Sequence, residues 1–167
     1  MPPASPKPTI TGTGALAVVS GSFLSGTMMS LSLLAVPVFL STTTSPTQLL
    51  REWARMYALG HQVLPSISVA TMVLYSYTAY TQRVANKRWK IFVAAGVTTV
   101  LMLPFTWFIM APTNGRLFAL EAAARMGGDG ASWEAVKGLV GRWRLLHLCR
   151  SLFPLGGALL GLGGLWE

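Results

Sequence analysis

Charge is what this sequence has least of. Only five of its 167 residues are acidic and 13 basic, so charged residues make up 11% of the chain against 52% hydrophobic ones. A soluble domain needs a charged surface to stay in water, and this composition argues against one. Cysteine is nearly absent as well: Cys149 stands alone, which excludes an internal disulfide and any cysteine metal site. A Gly-rich phosphate loop, an HExxH pair and a nucleophile elbow are also missing, so nucleotide chemistry and the commoner hydrolases have no support. The net charge of +8 does not make a nucleic-acid-binding domain, because the Lys and Arg residues lie mostly at the ends of apolar runs. That placement suits lipid headgroups.

What is present is a set of four uncharged runs, residues 8–50, 56–82, 91–115 and 151–166, of 43, 27, 25 and 16 residues. Crossing about 30 Å of hydrocarbon takes roughly 20 helical residues. Three runs are long enough outright, and the fourth is if its helix starts a turn or two before Arg150. The expected fold is therefore all-α, an integral membrane four-helix bundle with spans near 14–40, 60–80, 91–111 and 143–165. Residues 1–13, rich in Pro, Ser and Thr, are expected to be a disordered lead-in, and 14–167 a single transmembrane domain. A secretory signal fits poorly, because the apolar stretch that follows is too long for a signal core.

Local signals add detail. Ser22, Gly26 and Ser30 recur every four residues and are expected to form a smooth stripe for helix packing. STTTSPTQ, residues 41–48, reads as a turn into the second helix. Arg51, Glu52, Trp53, Arg55 and Tyr57 suit the headgroup zone, and Tyr75, Tyr77 and Tyr80 an interfacial belt. Pro104 predicts a kink in the third span. Between the third and fourth spans, Gly127, Gly128 and Gly130 separate LFALEAAARM from SWEAVKGLVGRW, both expected as short helices on the membrane surface. The last span holds Gly156, Gly157, Gly161, Gly163 and Gly164, a composition for close helix contact.

With four spans, both termini share a side with the basic loop that carries Arg83, Lys87, Arg88 and Lys90, and this side is expected to be cytoplasmic. His61, Asn114, Arg116, His147 and Arg150 then converge on the other side. Trp143, His147, Arg150 and Pro154 follow the spacing i, i+4, i+7, i+11 and share one helix face; Trp107 and Asn114, seven apart, share another. A charge as deep as Arg150 needs a partner or a wet cavity. Each residue also has a plainer role: helix capping for the histidines, phosphate anchoring for Arg150, an interfacial belt for the tryptophans, turn chemistry for Asn114. Two histidines on different helices could instead bind haem or a metal, although no carboxylate motif completes a metal set.

Three sequence elements look familiar together. They are W-x(6)-GH-x(3)-P (Trp53, Gly60, His61, Pro65), PFT-x(5)-PTNGRL (Pro104 to Thr106, Pro112 to Leu117) and W-x(3)-H-x(2)-R (Trp143, His147, Arg150). They resemble the anthrone oxygenase-like family of small four-span membrane proteins, over about residues 14–165. The family acts in fungal aromatic polyketide pathways and oxidises an anthrone to the anthraquinone with O₂. The resemblance implies a cofactor-free and metal-free oxygenase: removing a proton from the benzylic CH₂ gives a delocalised carbanion that can reduce O₂ directly. His61 or His147 would be the base. Arg150 or Arg116, with Asn114, would stabilise the enolate oxygen, and Trp53, Trp107, Trp143 and Thr113 would contact the substrate. The implied partners are an anthrone, O₂ and the bilayer, with soluble polyketide-pathway enzymes as associates, and the implied location is the endoplasmic reticulum. The rival readings are a small-molecule carrier, a scaffold for pathway enzymes and a His-ligated haem or metal redox protein.

Overall fold

In the computed structural model, residues 12–127 and 131–166 are described. Most of the expected lead-in, together with Gly128, Gly130 and Glu167, lies outside them. Four helices follow one another up and down: α1 (Gly12–Thr42), α2 (Pro46–Val84), α3 (Lys90–Arg125) and α4 (Trp133–Leu165). Each is long and apolar enough to cross a membrane. This is the all-α membrane bundle expected from the four uncharged runs.

The helix boundaries have local causes. The 41–48 turn contracts to Thr43–Ser45, where Ser45 accepts a hydrogen bond from the Gln48 N–H (3.4 Å) and Pro46 opens α2, as a helix start requires. Ser132 caps α4 in the same way through the Ala135 N–H. In α3 the ladder breaks at Leu101, because the Pro104 nitrogen has no proton to give the carbonyl of Val100.

Two expectations are corrected. The stretches expected as short surface helices are the last turns of α3 and the first turns of α4. They stay upright because Leu117, Val136 and Val140 bury against Leu49, Leu50 and Trp53 of α2, and α3 ends in a turn at Gly127, whose φ of +72° suits glycine. At 39 residues, α2 is about 58 Å long, enough to carry this cap beyond the hydrocarbon. The second correction concerns α1, whose packed face is Gly14, Ala17, Gly21, Leu24, Ser25 and Met28. Ser22 and Gly26 are exposed, and a Cβ on Gly26 would meet nothing within 4 Å.

Deep in the bundle the close approach runs through α4. A Cβ on Gly157 would strike Thr99 Oγ1 and stand 2.7 Å from the Ala95 carbonyl; one on Gly161 would stand 2.5 Å from the Tyr75 hydroxyl. Tyr75 fills the space these glycines leave and donates to the Gly157 carbonyl (3.1 Å). Small residues thus hold α2, α3 and α4 together where lipid supplies no hydrophobic drive.

Both α1 and α3 contain one turn of π-helix, Leu31–Ala35 and Thr106–Met110. Each π-turn packs against α4, and neither packs closely on α2. At that level α2 stands away from its neighbours, and a cleft opens.

Candidate active site

The cleft has a volume of about 180 Å³ and takes residues from all four helices. Helix α2 supplies Tyr57, Gly60, His61 and Pro65; α3 supplies Thr106 and Trp107; α4 supplies Trp143, His147 and Arg150; α1 supplies Leu31. Apart from Arg150, the two histidines and the Tyr57 and Thr106 hydroxyls, the wall is apolar or aromatic.

Arg150 is the centre of this arrangement. It is only 8% exposed, and among the described residues no carboxylate pairs with it. The guanidinium is instead held by neutral groups: Nη1 donates to Thr106 Oγ1 at 3.0 Å, and Nη2 to His147 Nε2 at 3.1 Å. Since His147 Nε2 accepts, its ring proton sits on Nδ1 and is donated to Ser32 Oγ at 3.0 Å. Thr106 passes its own proton to the Met102 carbonyl (2.7 Å), and Arg144 donates to the Ser32 carbonyl (2.9 Å). A chain from Ser32 through His147 and Arg150 to Thr106 thus joins the two π-turns across α4.

The Trp143 ring stacks on His147, with centroids 4.5 Å apart at 23°. Above it lie Trp53 (6.1 Å from Trp143), Tyr57 and Phe118 (each about 5 Å from Trp53) in edge or tilted contacts. Two buried donors on cleft residues, Trp143 Nε1 and Arg150 Nε, have no hydrogen-bond partner among the described residues. Leaving such donors unmatched costs about 1–3 kcal/mol each, but both nitrogens are covered by protein and neither opens directly onto the cleft.

His61 is different. It lies exposed at the cleft's edge, stacked on Tyr57 (5.6 Å, 13°), and its Nδ1 donates to the Ala58 carbonyl at 2.9 Å. The lone pair is therefore on Nε2, which has no hydrogen-bond partner among the described residues.

Of the nine candidate residues, the structure gathers His61, Trp107, Trp143, His147 and Arg150 around the cleft. Trp53 forms the layer above through its contact with Trp143. Thr113 and Asn114 are buried in α3 but do not line the cleft, and Arg116 is exposed. Sequence reasoning missed Ser32 and gave Tyr57 to the headgroups; Thr106 lay inside the PFT element without a role of its own. Nothing in the local sequence marks Ser32, a small polar residue among several in an apolar span.

Both His147 nitrogens are engaged within the protein, His61 keeps one uncommitted, and among the described residues no group of three His, Cys, Asp or Glu could hold a metal ion.

A profile of the anthrone oxygenase family matches residues 53–160. The chain is 57% identical over 153 residues to an anthrone oxygenase of Paecilomyces divaricatus, an alignment covering 90% of this chain and 93% of that one. It is 49% identical over 148 residues to an anthrone oxygenase of Aspergillus novofumigatus, covering 88% and 89%. With the noranthrone monooxygenase of Aspergillus flavus it shares 42% identity over 153 residues, covering 92% of this chain and 73% of that one. No solved structure matches the chain.

Proposed function

This chain belongs to the anthrone oxygenase family, and on that premise we propose that it oxidises an anthrone to the anthraquinone with O₂, one oxygen atom entering the product and the other leaving as water. The observation that carries the reading is Arg150, a buried cation with no counter-charge among the described residues, in an apolar cleft. Burying a charge unpaired is costly. A ligand that becomes an anion in place would offset that cost, and an anthrone does so when it loses a benzylic proton and its carbonyl becomes an enolate oxygen.

The chemistry balances without a cofactor. The anthrolate gives one electron to O₂, and the radical pair recombines to form the C–O bond of a hydroperoxide. Loss of the remaining benzylic hydrogen and cleavage of the O–O bond release water and leave the second carbonyl. In this reading the Arg150 guanidinium stabilises the enolate oxygen, and the aromatic layer holds the rings. His61 takes the proton, since its Nε2 is uncommitted and its rim position allows release to the surroundings. His147 holds Arg150 in place.

The bilayer is the setting and O₂ the co-substrate. The short basic loop between α2 and α3 supports cytoplasmic termini, and the endoplasmic reticulum is the proposed membrane. Soluble polyketide-pathway enzymes would meet the protein there.

The test is oxygen uptake by purified, detergent-solubilised protein given emodin anthrone, corrected for spontaneous autoxidation. One O₂ consumed per quinone formed, above background and lost in Arg150→Gln, is expected. No uptake above background would overturn the assignment.

A further inference from the structure

Helices α2 and α3 pack closely at two levels, along Lys90–Val100 and along Ala111–Arg125, but part between them, where α3 runs through its break at Leu101 and its π-turn. The parting lies at the height of the cleft. His61 and Pro65 on one side and Trp107 on the other line the cleft, and His61 and Trp107 also reach the outer surface of the bundle, Trp107 being 67% exposed.

The surface around this gap is apolar. Phe108 is 77% exposed and Val69 49%, and no charged residue occurs from 56 to 82 or from 91 to 115. Within a membrane-spanning segment such a surface meets hydrocarbon rather than water.

We infer that the substrate of the proposed oxygenase passes into the cleft sideways from the bilayer, between α2 and α3, as an uncharged planar molecule dissolved in lipid. The opening is framed by His61, Pro65 and Trp107. A neutral anthrone partitions into hydrocarbon and its anion does not, so the route admits the protonated form and leaves ionisation to the groups inside. The quinone, also uncharged, returns the same way. The opposite gap, between α1 and α2, adjoins an apolar groove lined by Leu31, Ala35, Phe39 and Leu59, but is the weaker route, because the cleft residues there, Leu31, Met56 and Gly60, are half-buried whereas His61 and Trp107 are exposed.

The inference rests on the oxygenase reading, and the experiment separates the two. Protein in phosphatidylcholine vesicles is given either free emodin anthrone or an anthrone carried covalently on a phosphatidylcholine acyl chain, which cannot leave the bilayer; protein-free vesicles give the background. Both are expected to be oxidised above background. Oxidation of the free anthrone alone overturns the lateral route and leaves the oxygenase standing. Oxidation of neither substrate by the wild-type protein overturns both.

Discussion

Arg150 donates a hydrogen bond to His147 three residues before it on the same helix, 3.1 Å from Nη2 to Nε2. That one contact sorts the two histidines. The nitrogen of His147 that could take a proton is occupied by a cation, whereas Nε2 of His61 is uncommitted.

His61→Ala should therefore lower kcat by about 100- to 10,000-fold, the range of a lost general base. Added imidazole should restore part of the rate. His147→Gln should keep far more activity than His147→Ala, because an amide can still accept from Arg150 and donate to Ser32. Equal loss in both His147 variants, with His61→Ala unaffected, would reverse the assignment.

Replacing Arg150 by Gln should cost about 100- to 1,000-fold in kcat, the scale of a lost oxyanion donor. Arg150→Lys should recover little of it. A lysine keeps the charge but cannot reach Thr106, His147 and a ligand together from one planar group. Steady-state oxygen uptake measures both.

Thr106 holds Arg150 directly and Ser32 holds it through His147, and their variants should behave as losses of position. Ser32→Ala leaves a buried imidazole N–H without its acceptor, a cost of about 1–3 kcal/mol. Thr106→Val should lower kcat more than it raises KM, and Thr106→Ser, which keeps the hydroxyl, should restore it. A Thr106→Ser variant as impaired as Thr106→Val would point to packing alone.

The two faces of the bundle's glycines give a stability contrast. Gly157→Ala should destabilise by about 1–3 kcal/mol through overpacking against Thr99 and Ala95. Gly26→Ala, with open space around it, should be neutral or gain up to about 1 kcal/mol of helix propensity. Thermal unfolding in one detergent would compare them.

How much of this was legible in the sequence depends on whether a helix keeps its period. The four spans were visible because hydrocarbon tolerates few charges, and the uncharged runs mark them directly. On α4, which is regular from Trp133 to Leu165, the spacing of Trp143, His147, Arg150 and Pro154 put all four on one face, and all four are buried. On α3 the same arithmetic placed Trp107 with Asn114, yet Trp107 is exposed and Asn114 buried. The π-turn at Thr106–Met110 holds one extra residue, which rotates everything after it by about 100°. No composition signal announces such a turn, so the end of the bundle that carries the site could be read, but not which of its residues face inward.

The unpaired guanidinium has one more consequence, for the end of the catalytic cycle. The reactant ion is attracted to Arg150; the finished quinone is neutral and has only carbonyl dipoles to offer. The grip on the bound molecule therefore loosens at the moment the reaction completes, with no hinge or lid required. An unreactive anthrolate mimic, such as a planar phenolate of similar shape, should by the same reasoning stay in the cleft and inhibit far more strongly than the product does.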